Sequence, residues 1–326
     1  MTFSNFVSQF WPSTINGLVL GSIYALVALG YTLVYGVLRL INFANSEVFM
    51  LAAFGSFLAV RILGLDVADD PVRTGGALVG VLALCLLISV AIGGITAVIV
   101  ERVAYRPLRK RNAPRLVFLI SAIGASFAIS EAVGEWGIPF IENKKRDEYG
   151  LTKFFRRDKL FELFGADVYD SNVVVIAGAA LMAVILVLFV SKSRVGRGIR
   201  AVAQDAETAQ LMGVNVDRII LITFLVGGIM AGGAAFLYEL HTPYARYDVG
   251  FSIGVKAFTA AVLGGIGNVK GALLGGILLG LIEVWGTSMF GSDQNVGTIG
   301  AFVTLVLVLM FRPSGLLGES LGRSKA

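Results

Sequence analysis

Long apolar runs, each close to the thickness of a lipid bilayer, constrain this chain more than any other feature. A helix that crosses a bilayer needs about 20 mostly apolar residues. The chain is 56% hydrophobic and only 15% charged, and its mean hydropathy is +0.81. Soluble globular domains do not have this composition, so we predict an all-α, polytopic transmembrane helical bundle. Six spans of sufficient length are 15–36, 41–63, 75–100, 116–136, 173–190 and 219–240.

Three further apolar runs follow toward the C-terminus. Two of them, 251–266 and 271–286, are short and interrupted by glycine, and the last is 297–311. We expect about nine membrane segments if each run crosses, or about eight if the two short runs form one re-entrant hairpin. Small residues recur four positions apart and allow helix backbones to approach closely. We therefore expect residues 1–326 to form one transmembrane domain. The glycine pairs are Gly76/Gly80, Gly228/Gly232, Gly271/Gly275 and Gly276/Gly280, with Gly17/Gly21/Ala25 near the start.

The distribution of charge predicts which loops share a side of the membrane. Segment 101–115 has six Lys and Arg and one acidic residue, and two spans later the polar segment 191–218 is also basic. Basic loops face the cytoplasm, so both are predicted there, with the N-terminus outside and the C-terminus inside. Loop 137–172 is then external, and its seven basic residues are matched by seven acidic ones. Because these loops explain the net charge of +5, nucleic-acid binding is not expected.

Catalytic motifs are almost absent from the sequence. His241 and Cys85 are the only histidine and cysteine, which excludes the common His-based and Cys-based metal motifs. No phosphate-binding loop of the G-x-x-x-x-G-K-[ST] type occurs. The chain is therefore expected to bind neither ATP nor a metal, and a hydrolase is not predicted.

Ionisable residues inside the spans are better candidates for function, since a charge costs about 2.5–3.5 kcal/mol at the centre of a membrane helix. Glu47 lies near the start of the second span beside Asn42, Asn45 and Ser46. This polar group indicates either a translocation path or a cluster of hydrogen bonds between helices, and the residues leave both open. Glu283 is a further candidate for the path.

Other charged residues have simpler interpretations. Glu131 and Lys256 lie near the ends of spans, where a long side chain can extend to the membrane surface. Glu239 and His241 are expected at the membrane–water interface.

The segment 191–218 is unusually ordered for a loop between spans. Ile199, Val202 and Ala206 recur at helical spacing, and the pattern ends at Gly213. We predict a single amphipathic helix of about four turns. Its polar face has few basic residues and it has no Trp or Phe to anchor it in lipid, so docking in the groove of a partner protein is favoured.

This segment is similar to a known family motif. Glu207-Thr208-Ala209-Gln210-Leu211-Met212-Gly213 resembles the coupling motif of ATP-binding-cassette importers, in which Glu-Ala-Ala is followed three residues later by Gly. Thr208 replaces the first of the two alanines. Long stretches elsewhere also match, namely 16–44, 200–219, 256–276 and 312–318. On these residues the chain resembles the permease subunits of branched-chain amino acid importers of the LivH type.

The resemblance implies the partners and the localisation. Such a permease is expected in the bacterial cytoplasmic membrane, paired with a homologous second permease, two ABC ATPase subunits and an external solute-binding protein. ATP would be used by the ATPase partners, and no cofactor is expected on this chain. The residues that the resemblance implies in coupling to the ATPase are Arg200, Asp205, Glu207, Ala209, Met212 and Gly213.

Two departures from the family pattern concern the substrate. Asn45 and Ser46 stand where the family commonly has His-Gly before the glutamate, and loop 137–172 is longer and more charged. The resemblance implies transport of leucine, isoleucine and valine, while urea and short amides, carried by related permeases, stay open. An ion-coupled transporter or channel that uses Glu47, Lys256 and Glu283 is the alternative from another class.

Overall fold

The structure is a computed structural model that describes residues 3–62, 76–137, 149–150, 159–242, 244–245, 248–290, 294–312 and 314–318. Helices dominate these ranges, and four short strands lie in the connections. The helices are α1 (Phe3–Leu38), α2 (Asn45–Ile62), α3 (Gly76–Val100), α4 (Arg106–Lys110), α5 (Arg115–Ala132), α6 (Asp170–Lys192), α7 (Arg194–Gln204), α8 (Ala206–Leu211), α9 (Val216–His241), α10 (Val249–Gly264), α11 (Val269–Phe290) and α12 (Gln294–Phe311). Single π-helical turns, Glu101–Tyr105 and Val133–Gly137, follow α3 and α5.

The predicted helical bundle is confirmed. Six helices in the described residues are long and apolar enough to cross a membrane, and three shorter apolar helices lie at 45–60, 249–264 and 302–311. Three boundaries differ clearly from the prediction. Helix α1 begins at Phe3 and not at residue 15, and the second span begins at Asn45 and not at residue 41. The run predicted as short, 271–286, belongs to the 22-residue helix α11.

Close contacts between glycines hold the centre of the bundle together. A Cβ atom on Gly276 would lie 2.4 Å from the backbone of Ala25, and one on Gly280 would lie 2.3 Å from the backbone nitrogen of Gly21. α1 and α11 therefore touch backbone to backbone. α3 and α9 meet in the same way, at Gly93 and Gly228. No hydrophobic driving force acts between helices in lipid, so the van der Waals contacts that this close approach allows hold the helices together.

One predicted glycine pair does not pack in this way. A Cβ on Gly80 would have no neighbouring atom within 4 Å. Gly80 lies on the outer face of α3, where large apolar side chains are also exposed. The outer faces of α3, α5, α6 and α12 share this character and are suited to contact with lipid; the exposed residues include Leu87, Ile95, Ile120, Phe127, Leu181, Val184, Val306 and Met310.

A polar cluster joins the two basic segments at one end of the bundle. The Arg109 guanidinium lies 2.9 Å from Glu101 Oε1 and donates to Asp217 Oδ1 at 3.0 Å. Glu101 is almost fully buried, so Arg109 supplies the counterion that it needs. Because Arg109 belongs to segment 101–115 and Asp217 to segment 191–218, the prediction that these segments share one side is confirmed.

Short strands organise the connections at the opposite end. Strands β2 (Lys159–Leu163) and β3 (Ala166–Tyr169) form an antiparallel hairpin whose turn, Phe164 and Gly165, has positive φ at both positions. Strand β1 (Tyr149–Gly150) pairs with β4 (Tyr244–Ala245), which links the predicted external loop 137–172 to the connection before α10. Residues 138–148 and 151–158 of that loop lie outside the described residues.

Candidate translocation site and coupling segment

The chain folds back into the bundle between α1 and α2. Arg39 ends α1 with a φ of 53°, and residues 39–44 are not helical. Asn45, the first residue of α2, lies beside Gly30, whose Cβ would be 3.4 Å from the Asn45 amide nitrogen. Since Gly30 is eight residues before the end of α1, α2 starts about 12 Å inside the bundle. Asn42 and Ala44 in this connection are buried.

Helix α10 also begins inside the bundle, and it lies antiparallel to α2. A Cβ on Gly250 would meet Ser46 and Met50, and one on Gly254, a turn later, would meet Ser46 and Tyr31. The first turns of the two helices therefore overlap. Each helix N-terminus carries a partial positive charge of about +0.5. Discontinuous helices whose N-termini meet inside the membrane are typical of substrate sites in transporters.

Glu47 lies at this junction, in the first turn of α2, and is almost completely buried. Its Oε1 accepts a hydrogen bond from Ser126 at 3.0 Å and lies 3.3 Å from the Ser46 hydroxyl, whose nearer acceptor is the Phe43 carbonyl at 2.6 Å. Its Oε2 lies 3.0 Å from the Cβ position of Gly250 and has no hydrogen-bond partner among the described residues. The two helix N-termini stabilise the carboxylate where side chains do not.

A cavity of about 130 Å³ lies next to this carboxylate, between α1, α2, α5 and α10. Ser46 and Ser126, the two serines next to Glu47, contribute to its lining, and the rest of the wall is mostly apolar. Phe127 and Phe251, which also line it, are more than half exposed. The full lining is Tyr31, Phe43, Ser46, Ile123, Ser126, Phe127, Phe251, Gly254 and Val255.

The predicted polar group around Glu47 does come together, although its members have different neighbours. Asn42 accepts a hydrogen bond from the Tyr105 hydroxyl at 3.1 Å, which attaches the connection between α1 and α2 to the π-helical turn after α3. The Asn45 amide nitrogen has no partner among the described residues. Both asparagines lie around the start of α2, but neither lines the cavity.

Glu283 belongs to a different polar contact. It forms an ion pair with Lys256, with 2.6 Å between Nζ and Oε1, and both side chains are nearly buried. Tyr24 lies beside the pair, with its ring centroid 6.0 Å from Nζ. The prediction that Lys256 extends to the membrane surface is therefore wrong, because a buried partner on α11 holds its ammonium group.

Glu239 also differs from the prediction. It was expected at the interface, yet it is 3% exposed and accepts a hydrogen bond from Ser56 of α2. Helix α9 extends to His241, so the glutamate lies within its last turn and faces the bundle.

Segment 191–218, in which coupling to an ATPase was predicted, contains two helices and not the single helix predicted. Asp205 ends α7 and begins α8, in an extended conformation. Its Oδ1 accepts from the backbone nitrogens of Glu207 and Thr208, at 2.9 and 3.2 Å, and its Oδ2 accepts from the Thr208 hydroxyl at 2.7 Å. The hydrogen bond from the Thr208 hydroxyl and those from the backbone hold the pKa of Asp205 below its usual value. A side chain that caps a helix so well interrupts the preceding one.

The apolar stripe of this segment faces the helical bundle of the same chain, which corrects the prediction that this stripe enters a partner. Ile199, Val202 and Ala209 are buried in one cluster with Ile219 and Ile220 of α9. The stripe therefore attaches the segment to the bundle. The side chains left for a partner are Leu211 and Met212, which are 87% and 82% exposed.

Gly213 ends α8 in a left-handed conformation, with a φ of 84°. Val214 N donates to Ala209 O and Gly213 N donates to Gln210 O, both at 3.0 Å, as in a Schellman motif. This turn directs Leu211 and Met212 outward. Two hydrogen bonds attach α7 to the bundle. The Arg200 guanidinium donates to the Val190 carbonyl, and Arg39 donates to the Ala203 carbonyl at 3.5 Å.

Sequence reasoning identified Ser46 but missed Ser126, the other serine of the cavity. Ser126 lies in an ordinary apolar run of α5, and only the packing of α5 against α2 brings it to Glu47. Gly250 and Gly254, four residues apart, were a local signal for close approach between helices, and this signal could have indicated their contact with α2.

Comparison with known proteins adds the family. Residues 13–311 match the family described as branched-chain amino acid transport system / permease component. The chain is 39% identical to the high-affinity branched-chain amino acid transport system permease protein BraD of Pseudomonas aeruginosa, over 96% of this chain and 97% of that one. It is 38% identical to LivH of Escherichia coli K12, over 95% and 96%. A probable LivH permease of Methanocaldococcus jannaschii is 26% identical over 93% and 91%. The chain therefore belongs to the family of branched-chain amino acid transport permease components.

Proposed function

We propose that this chain is the membrane permease subunit of an ABC importer and that it translocates leucine, isoleucine and valine delivered by an external binding protein. The observation that carries the proposal is the similarity along nearly the whole chain to permease proteins of high-affinity branched-chain amino acid transport systems. It pairs with a homologous second permease and with two ABC ATPase subunits that use the ATP. An ion-coupled transporter is not favoured, because these relatives are permeases of transport systems of another class.

The translocation path passes the junction of α2 and α10. Asn42, Asn45 and Glu47 surround the start of α2, and the apolar cavity beside them suits an aliphatic side chain. Glu283 contributes from α11 through its pair with Lys256. Uptake assays in which leucine competes with urea and short amides test the substrate class.

Coupling to the ATPase passes through Arg200 to Gly213. In this segment Leu211, Met212 and Glu207 are exposed and form the contact surface, while Asp205 and Gly213 fix the two ends of α8. Arg200 and Ala209 attach the segment to α6 and α9. Movement of an ATPase subunit then shifts the bundle between outward-facing and inward-facing states.

The proposed orientation has the N-terminus outside and the coupling segment and the C-terminus in the cytoplasm. The basic segments 101–115 and 191–218, which lie at one end of the bundle, support it through the positive-inside rule. Labelling of single cysteines with an impermeant reagent tests this orientation, and a reagent that reaches position 212 from outside would contradict it.

Gly213 provides the test of coupling. A β-branched residue in the left-handed conformation costs roughly 1–2 kcal/mol, whereas asparagine tolerates it. We expect Gly213→Val to abolish substrate-stimulated ATP hydrolysis in the reconstituted complex and Gly213→Asn to retain most of it. A Cβ at this position meets no atom within 4 Å, so neither variant creates a clash. Normal coupling in Gly213→Val, with the protein inserted in the membrane, would contradict the proposal.

A further inference from the structure

The cavity beside Glu47 has a mostly apolar wall of aromatic and aliphatic side chains. Three of its lining residues carry a hydroxyl group, namely Ser46, Ser126 and Tyr31, and the two serines lie next to Glu47. The Tyr31 hydroxyl is buried and has no hydrogen-bond partner among the described residues. The apolar wall suits an aliphatic side chain, and the serines beside Glu47 give the one place for a charged end.

The oxygens of the two serines beside the cavity retain acceptor capacity. A hydroxyl has one proton and two lone pairs. The Ser126 proton is donated to Glu47 at 3.0 Å, and the Ser46 proton has the Phe43 carbonyl at 2.6 Å. The lone pairs of both oxygens therefore remain for a donor. An alkylammonium group has three donors and no acceptor.

The charge around the cavity has the sign that an ammonium group needs. Glu47 lies directly behind the serines, and Asp248 is close enough to interact with it electrostatically. None of the residues lining the cavity is cationic. The nearest cation on α10, Lys256, is paired with Glu283 at 2.6 Å. The N-termini of α2 and α10 offset part of this negative charge, and Glu47 already occupies the place where they would attract a ligand carboxylate.

We propose that the cavity binds a branched-chain amino acid with its α-ammonium group on Ser46 and Ser126, backed by Glu47, and its aliphatic side chain against Phe43, Phe127 and Phe251. This inference rests on the proposed function and extends it, because it gives the permease its own selectivity for the amino group. The substrate would thus be selected twice, first by the binding protein and then by the permease. Urea and short amides, which carry no cation, would bind poorly.

Three ligands that share one alkyl group test the orientation. The complex of both permeases and the ATPases is placed in lipid nanodiscs without binding protein, and bound radiolabelled leucine is competed with 3-methylbutylamine or 4-methylpentanoate. The amine lacks the carboxylate and the acid lacks the ammonium group. We expect the amine to compete and the acid to be at least tenfold weaker. Equal competition by the two, or stronger competition by the acid, would overturn the inference.

Variants of the polar side add an independent measurement. Ser126→Ala removes one acceptor, and Glu47→Gln keeps the shape of the side chain but removes the charge. Each is expected to weaken leucine and amine about tenfold, the size of a lost hydrogen bond to a charged group. The matched control is Ser121→Ala on the same helix, since Ser121 donates to the Ala104 carbonyl and does not line the cavity. Its affinity should be unchanged.

Uptake by the complete importer separates the two hypotheses. If the wild-type complex with its binding protein and ATP does not transport leucine, the proposed function fails. If it transports leucine but Ser126→Ala and Glu47→Gln bind leucine as tightly as Ser121→Ala, the inference about the ammonium site fails alone. A transporting wild-type complex that binds none of the three ligands in nanodiscs would overturn it as well.

Discussion

The buried pair of Lys256 and Glu283 predicts a large and non-additive effect on stability. The two charged atoms are 2.6 Å apart, and the side chains are 12% and 10% exposed. At an effective dielectric constant of about 20, charges at that distance attract by about 6 kcal/mol. Much of this is offset by the cost of removing both groups from water, but loss of one partner leaves a buried charge alone and costs about 3–5 kcal/mol.

A double-mutant cycle measures the pair. We expect Glu283→Gln and Lys256→Met each to lower the free energy of unfolding by about 3 kcal/mol or more. The double variant should lose at least about 2 kcal/mol less than the sum of the two single losses. The free energies come from unfolding in mixed micelles of SDS and a mild detergent, followed by tryptophan fluorescence.

Two outcomes would refute the reasoning about this pair. Additive single effects would show that the two charges do not interact in the membrane. Single losses below about 1 kcal/mol would show that the pair is as solvated as a surface ion pair. Leucine uptake by the double variant then tests Glu283 as part of the path: if stability recovers and uptake does not, the carboxylate has a role beyond the ion pair.

Two further predictions concern packing and pH. Gly280→Ala places a Cβ 2.3 Å from the backbone of α1 and is expected to cost about 1–3 kcal/mol. The control Gly286→Ala lies on the same helix, and its Cβ meets no atom within 4 Å. Because alanine favours a helix by about 0.5–1 kcal/mol over glycine, this control should not lower the melting temperature, and equal melting of the two variants would contradict the contact. The pKa of Asp205 is lowered in the folded chain, so its contribution to α8 is present above the usual aspartate pKa and is lost as the pH falls through the lowered one. Amide exchange of residues 206–211, corrected for intrinsic rate, should show this loss in acid for wild type but not for Asp205→Asn; identical profiles would contradict it.

Much of the fold could be predicted because hydropathy is a local property. The apolar runs gave nearly every helix within a few residues, including α10 and α12. The start of α2 was placed four residues early because residues 41–44 are mostly apolar, although they form a partly buried connection that ends in a turn at Phe43 and Ala44 before the helix. Hydropathy reports burial and does not distinguish a helix from a non-helical segment inside protein.

The site was less predictable, because it depends on contacts between distant segments. Glu47 was identified because a charged side chain in lipid has a high free-energy cost. Its hydrogen-bond partner Ser126, however, lies 79 residues away on another helix. The stripe of Ile199 and Val202 gave the right periodicity but the wrong partner, since the same pattern fits docking on a second protein or on the chain's own bundle. Lys256 was misplaced because its distance from a span end cannot show the glutamate on α11.

The two-residue ladder between β1 and β4 restrains the end of the bundle opposite the coupling segment. It pairs Tyr149 with Ala245 and Gly150 with Tyr244, so a segment that follows α5 is held to the connection that enters α10. These two helices form opposing walls of the cavity. Each backbone hydrogen bond contributes about 1 kcal/mol, so this short ladder adds only a small stabilisation. Its consequence is geometric, because it ties the connection after α5 to the connection before α10.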